Sequence, residues 1–172
     1  MVGTIEPRKG HDQALAAFSA LWDEGVDANL VIVGQAGWGR DAFLRSMRTH
    51  PEWGRRLLWF EDASDVELLR LYEVTDGCLM ASRGEGFGLP LIEAARYDLP
   101  LLARDLPVFE EVAGNNVTYF SGESIESLAT SLKDWFASIA AGTAPRSGGI
   151  RWLTWEQSTQ QFAAALLGHL AD

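Results

Sequence analysis

The sequence has little of what disulfide-bonded and metal-binding proteins need. Its single cysteine, Cys78, cannot form an internal disulfide, and its apolar surroundings predict a buried thiol. The three histidines stand far apart, so no metal-ligand spacing occurs. No apolar run reaches the roughly 18 residues that would predict a membrane span. The amino terminus lacks the pattern of a signal peptide.

Positive charge is also scarce. Lys and Arg number 14 against 24 Asp and Glu, which gives a formal net charge of −10. This balance argues against a nucleic-acid partner, because nucleic-acid binding depends on neutralising phosphates. It does not exclude a small anionic ligand, since a local pair of cations can oppose the global charge. Hydrophobic residues make up 47% of the 172 positions, enough for the core of one domain.

Short apolar runs alternate with helical patterns along the whole chain. Strands are predicted at 1–4, 30–33, 57–60, 78–81, 99–103 and 116–120. Helices are predicted at 11–24, 41–49, 65–72, 90–95, 125–141 and 152–170, the third of them opened by a Ser64/Glu67 capping box. Nearly continuous apolar strands indicate a parallel sheet with helices on both faces. The prediction is therefore an α/β, three-layer Rossmann-like domain with a parallel sheet of about six strands. It covers residues 1–172, with 151–172 as a closing helix.

The segment 83–95 combines three glycines with two carboxylates. It follows the strand at 78–81, and Pro90 stands where a helix would begin. Free amides at such a point attract phosphate, whereas Glu85 and Glu93 suit the hydroxyl groups of sugars. The alternative is that the glycines only form a turn and Glu93 is a favourable first-turn charge.

Two adjacent cations, Arg8 and Lys9, follow the first predicted strand. An arginine fork and a lysine point charge together fit a diphosphate. A solvated basic turn is the alternative. Because ligands bind at the carboxyl ends of parallel strands, we expect these cations and the glycine segment to share one edge of the sheet.

These segments resemble family 4 of the retaining glycosyltransferases with the GT-B fold. Glu85 and Glu93 match the family's E-x7-E signature, and 2–10 is similar to its first strand and phosphate loop. The segments 31–34, 37–38, 64–68 and 105–112 also follow its pattern, and those at 37–38 and 106–109 are most like the mannosyltransferase-type members.

The resemblance implies a fold and a set of roles. The chain would be the C-terminal, donor-binding half of a two-domain enzyme whose N-terminal acceptor domain is absent. Glu93 would bind the ribose, Glu85 would face the donor sugar, and Arg8 and Lys9 would neutralise the diphosphate. The implied catalytic residues are Glu85, Lys9 and Arg8, and the implied donor-binding residues are Glu93, Gly86, Phe87, Gly88, Leu89, Gly3, Glu61 and Asp62.

The resemblance also implies an activity. The full enzyme would transfer a sugar, with mannose favoured, from a nucleotide diphosphate sugar to an acceptor hydroxyl with retention, in polysaccharide or glycoconjugate synthesis. GDP-mannose is the favoured donor and a UDP-sugar the alternative, with no cofactor and no metal. The acceptor would be a glycan or lipid-linked glycan. The expected location is the bacterial cytoplasm, with peripheral association at the inner membrane face allowed. The isolated domain is expected to be inactive.

The chain departs from the family pattern in two places. Asp98 stands where the family has a glycine, so we expect it to adopt a left-handed conformation. Thr4 or Ile5 replaces an arginine that some members carry, which leaves fewer cations for the diphosphate. The sequence alone leaves three other functions open. The chain could belong to a GT-B epimerase or phosphorylase, act as a non-catalytic nucleotide-sugar-binding module, or belong to a dinucleotide-dependent oxidoreductase. An oxidoreductase of this kind would need a G-x-G-x-x-G motif after the first strand, and this sequence has none there.

Overall fold

A computed structural model describes residues 1–169, with side chains described as far as 167. Within these residues the strands are β1 (Leu30–Val33), β2 (Leu57–Phe60), β3 (Cys78–Met80), β4 (Leu101–Arg104) and β5 (Thr118–Phe120). The helices are α1 (His11–Asp23), α2 (Asp41–Arg48), α3 (Asp65–Val74), α4 (Leu89–Ala95), α5 (Pro107–Ala113), α6 (Ile125–Ala140) and α7 (Trp155–His169). Short 3₁₀ turns lie at Pro7–Lys9, Gly114–Asn116 and Ser147–Gly149.

The strands pair in parallel, as the alternation predicts. β1 pairs with β2, and β4 lies between β3 and β5. Each of these strands is followed by a helix, which is the connection that parallel neighbours require. The α/β class with parallel strand pairing is therefore confirmed, but the described strands form two separate sheets, of two and three strands, instead of the single sheet that the sequence predicts.

The first predicted strand is less regular than the sequence suggests. Residues 1–5 make isolated parallel bridges, Val2 to Val33 and Ile5 to Ala36, rather than a strand. Gly3 and Gly34 have φ values of 131° and 140°, which interrupt the extended backbone on both sides of the ladder. The described residues therefore form five regular strands instead of about six.

The core divides into two clusters on opposite faces of the sheet. Leu79 and Leu102 pack with α1 and α6 on one face. Their neighbours Cys78 and Leu101 pack with α4 and α5 on the other face. Alternate residues of one strand thus face opposite helix layers, which gives the three-layer arrangement. Cys78 is buried, as predicted.

The last predicted helix forms, with its described side chains exposed to solvent. The prediction placed it at 152–170, whereas α7 begins at Trp155, and the predicted end at Leu170 lies outside the described residues. The described side chains from 155 to 167 are exposed. Helical periodicity predicts such an element but not the surface that it covers. Among residues 1–169, no helix is both long and apolar enough to cross a membrane.

Candidate functional site

The two predicted site segments meet at the carboxyl edge of the sheet. Gly10, at the start of α1, adopts φ 71°, and a Cβ atom there would lie 2.2 Å from the carbonyl oxygen of Ala81. The amide of Arg83 donates a 2.7 Å hydrogen bond to the carbonyl of Arg8. The loop that carries the cations therefore packs directly on the start of the glycine segment.

Glu85 lies at the centre of an ionic cluster. Its Oε1 accepts hydrogen bonds from Lys9 Nζ at 2.5 Å and Ser82 Oγ at 2.7 Å, and its Oε2 accepts one from Arg8 at 3.1 Å. Burial opposes ionisation of Glu85, but the bonds from Lys9 and Ser82 outweigh it and hold the pKa below its ordinary value. Arg8 also pairs with Glu6 at 2.7 Å. The carboxylate is ionised at neutral pH and already bound to both cations.

The two cations differ in exposure. The Lys9 side chain is 11% exposed and that of Arg8 is 51% exposed. Gly3 lies beside Lys9, because a Cβ atom on Gly3 would be 3.4 Å from Lys9 Cε. Gly3, Arg8, Lys9 and Glu85 are thus the predicted site residues that the structure brings together.

The glycine segment leaves an open surface and one tight turn. A Cβ atom on Gly84 or Gly86 would meet nothing within 4 Å, and Phe87 and Leu89 are about half exposed. Gly88 is different, because it has φ 84° and a Cβ atom there would lie 2.7 Å from a ring carbon of Phe109. Gly88 therefore sets the direction in which α4 leaves the loop.

Glu93 lies on α4 and is held by a different partner. Its Oε2 accepts a 3.1 Å hydrogen bond from the hydroxyl of Tyr72 on α3. Tyr72 is 3% exposed, and its ring stacks on Tyr97 with centroids 5.6 Å apart. Burial, together with the nearby Cys78 and Glu93, raises the pKa of Tyr72, so its hydroxyl remains a donor at all ordinary pH values.

Glu61 and Asp62 follow β2, at the same edge of the sheet. The Glu61 carboxylate lies 3.8 Å from Arg48 on α2, and Asp62 is exposed. Among the described side chains, neither forms a hydrogen bond or ion pair with Glu85 or Glu93. Their predicted role in donor binding therefore requires a ligand that reaches from Glu85 and Glu93 to Glu61 and Asp62.

Sequence reasoning missed one buried cation. Arg104, at the end of β4, is 6% exposed and donates to the carbonyls of Ala81 at 3.1 Å, Ser82 at 3.0 Å and Gly122 at 2.5 Å. It also bonds to Gln13 on α1. Burial lowers its pKa. An arginine that ends an otherwise apolar strand was the available signal, and its effect is to fix the residues just before Glu85.

A groove of about 680 Å³ extends from the start of β1 and β3 to Val33 and Phe60, the last residues of β1 and β2, and Tyr72 also lines it. Asn29, Leu30, Asp76 and Gly77 are among its walls. Within the described part of the chain, none of the predicted site residues lines it. The charged chemistry therefore lies at the carboxyl edge, which is the edge where open α/β sheets bind ligands.

Metal ligation has no support in the described part of the chain. No group of three or more His, Cys, Asp or Glu side chains there could hold a metal ion.

Comparison with known proteins gives a consistent family. Residues 1–139 match the family model described as glycosyl transferases group 1. The chain is 49% identical over 160 residues to the serotype-specific mannosyltransferase WbdA of Escherichia coli, an alignment that covers 93% of this chain and 20% of that protein. The chain thus spans about one fifth of the length of this relative.

Solved structures share the fold. The sucrose-phosphate synthase of Thermosynechococcus elongatus superposes with a TM-score of 0.77 over 99% of this chain and 45% of its own, at 18% identity. The C-terminal domain of a group 1 family glycosyl transferase from Francisella tularensis superposes with a TM-score of 0.70, covering 85% of this chain and 80% of its own, at 20% identity.

Proposed function

Because the chain belongs to the glycosyl transferases group 1 family, we propose that it is the donor-binding domain of a retaining mannosyltransferase. The likeness to a protein named as a mannosyltransferase supports mannose, and GDP-mannose is the donor we favour over a UDP-sugar. The observation that carries the proposal is the cluster of Arg8, Lys9 and Glu85 at the ligand-binding edge of the sheet.

Arg8 and Lys9 would hold the donor diphosphate. In the free chain two carboxylates, Glu6 and Glu85, balance these two cations. A bound diphosphate would replace Glu6 and Glu85 as the partner of the half-exposed Arg8, while the more buried Lys9 would keep its bond to Glu85. As the sugar departs, both cations would stabilise the charge that develops on the diphosphate, without need of a metal.

The remaining predicted residues would surround the rest of the donor. Glu93 would accept hydrogen bonds from the ribose hydroxyls, and Glu85 would bind hydroxyls of the sugar. The exposed backbone of Gly86–Leu89 would contact sugar and phosphate, and Glu61–Asp62 would lie beside the base. The intact pair of Glu85 and Glu93 favours a working enzyme site over a non-catalytic binding module.

The acceptor would be bound mainly by a second, N-terminal domain outside this chain. This fits the fraction of its relative that the chain spans. The acceptor would be a glycan or a lipid-linked glycan, and the product a bacterial polysaccharide or glycoconjugate made in the cytoplasm or at the inner face of the membrane. The isolated chain is therefore expected to bind the donor but not to transfer its sugar.

Calorimetric titration with GDP tests the site. The chain should bind GDP weakly, and Lys9→Ala should lower the affinity by about tenfold or more, since a charge-assisted hydrogen bond is lost. Arg70→Ala is the matched control, because Arg70 pairs only with Glu73 on the exposed surface of α3 within the described side chains. Failure of both GDP and UDP to bind at millimolar concentration would reject the proposed site.

A further inference from the structure

Glu93 differs from Glu85 in how its carboxylate is held. Glu85 bonds to two cations and a serine. Among the described side chains, Glu93 forms no ion pair, and its hydrogen-bonding partner is the Tyr72 hydroxyl, 3.1 Å from Oε2. Its other oxygen, Oε1, has no side-chain partner in that part of the chain. One oxygen of Glu93 is therefore fixed and the other is left for a ligand.

Tyr72 is itself rigid. It is 3% exposed and belongs to the buried cluster that includes Leu91 and Ala94 of α4. Its ring stacks on Tyr97 at an interplanar angle of 22°. A buried tyrosine hydroxyl needs a hydrogen-bond partner, and here that partner is Glu93. Through this one hydrogen bond, the buried Tyr72 limits the movement of the Glu93 carboxylate.

We propose that Tyr72 is a positioning residue, which holds the Glu93 carboxylate in the orientation that accepts the ribose hydroxyls of the donor nucleotide. This inference rests on the proposed function, because that function gives Glu93 the role of binding the ribose. Tyr72 touches no ligand. Because Tyr72 already restrains the Glu93 side chain in the free chain, less conformational entropy is lost when the nucleotide binds.

Three probes separate this role from a general effect on the fold. GDP has both ribose hydroxyls, 2′,3′-dideoxy-GDP has neither, and inorganic pyrophosphate has no ribose. Tyr72→Phe removes the hydroxyl but keeps the stacked ring. It should weaken GDP binding by roughly three- to tenfold, the cost of ordering one freed side chain. Binding of dideoxy-GDP and pyrophosphate should not change.

Tyr97→Phe is the matched control. It makes the same substitution on the ring stacked against Tyr72, and within the described residues its hydroxyl does not bond to Glu93. It should leave the affinity for all three probes at the parent value. In a Glu93→Ala background, Tyr72→Phe should have no further effect on GDP binding, because the two residues act as one unit.

The outcomes are distinguishable. If the parent binds GDP and dideoxy-GDP equally well, the ribose role of Glu93 fails, and the inference fails with it. If the parent prefers GDP but Tyr72→Phe binds GDP as tightly as the parent does, only the inference is overturned. Equal weakening of all three probes by Tyr72→Phe would also overturn it, because Tyr72 would then support the fold and not the orientation of Glu93.

Discussion

At the scale of single residues, Glu85 has two competing uses. In the free chain it neutralises Arg8 and Lys9, yet the proposed function assigns those cations to a diphosphate. The Glu85 carboxylate and the diphosphate are both negatively charged and would repel each other beside the same two cations. Glu85 should therefore oppose binding of the nucleotide alone while favouring the sugar that its oxygens can bind.

This competition predicts opposite effects of Glu85→Gln on two ligands. GDP should bind more tightly by a few-fold, roughly the effect of removing one nearby like charge at the edge of the protein. GDP-mannose should lose its advantage over GDP, because the charged acceptor for the sugar hydroxyls is gone. Parallel calorimetric titrations measure both, and weaker binding of GDP by the variant would contradict the account.

Glu85 should also contribute to stability in a pH-dependent way. Its pKa in the folded chain is held below the unfolded value near 4.5. The contribution is therefore complete above that value and is lost as the pH falls through the folded pKa. At pH 7, Glu85→Gln should lower the free energy of unfolding by about 1–3 kcal/mol, the cost of losing charged hydrogen bonds.

Urea unfolding of the parent and of Glu85→Gln between pH 7 and pH 3 measures this contribution. The difference between the two free energies of unfolding should shrink as the pH falls below about 4.5. A difference that stays constant over the whole range would show that the ionised form of Glu85 is not favoured by folding.

At the scale of elements, the turn at Gly88 controls how α4 presents Glu93. Gly88 and Gly25 both have φ 84°, but a Cβ atom at Gly25 would meet nothing within 4 Å, whereas one at Gly88 would press on Phe109. Phe109 is fully buried and has little room to yield. Substitution of Gly25 therefore tests backbone strain alone, whereas substitution of Gly88 tests strain together with overpacking.

Alanine substitutions at these glycines should differ in cost. Gly25→Ala should lower the free energy of unfolding by about 1 kcal/mol through backbone strain alone. Gly88→Ala should cost about 2–4 kcal/mol, because overpacking against Phe109 adds to the strain. Thermal and urea unfolding of both variants provide the comparison. Equal costs would mean that Phe109 yields freely and does not fix the turn.

The elements also show which features were predictable. Parallel strands end at one edge, so the meeting of the Arg8 loop with the glycine segment followed from the order of strands and helices. The left-handed backbone of Asp98, with φ 52°, followed from the resemblance, because the family has a glycine at that position. The broken first strand did not follow, because an apolar pattern does not reveal that Gly3 and Gly34 adopt positive φ values.

The contacts between elements were the least predictable. The sequence predicted that Tyr72 lies in the helix at 65–72, but its bond to Glu93 depends on how α3 and α4 pack. Arg104 interrupts an apolar pattern, yet only the folded arrangement brings three carbonyl groups around it. Such partners are distant in the sequence and are fixed by tertiary packing.

At the scale of the whole molecule, the chain supplies one edge of a binding site. Its cations and carboxylates lie at the carboxyl edge, and none of them lines the groove that opens where β1 and β3 begin. The aromatic and leucine side chains of α7 are exposed as far as residue 167, where the described side chains end. In the proposed enzyme the second domain would complete the cleft and bring the acceptor.

Hydrogen–deuterium exchange of the chain, with and without saturating GDP-mannose, tests the central claim most directly. The account predicts slower exchange at the amides of 8–10 and 84–93, where the diphosphate, sugar and ribose would lie. The residues at 26–31 and 74–78, which line the groove where β1 and β3 begin, should exchange at an unchanged rate. Protection confined to that groove, or no protection anywhere at saturation, would contradict the placement of the donor site.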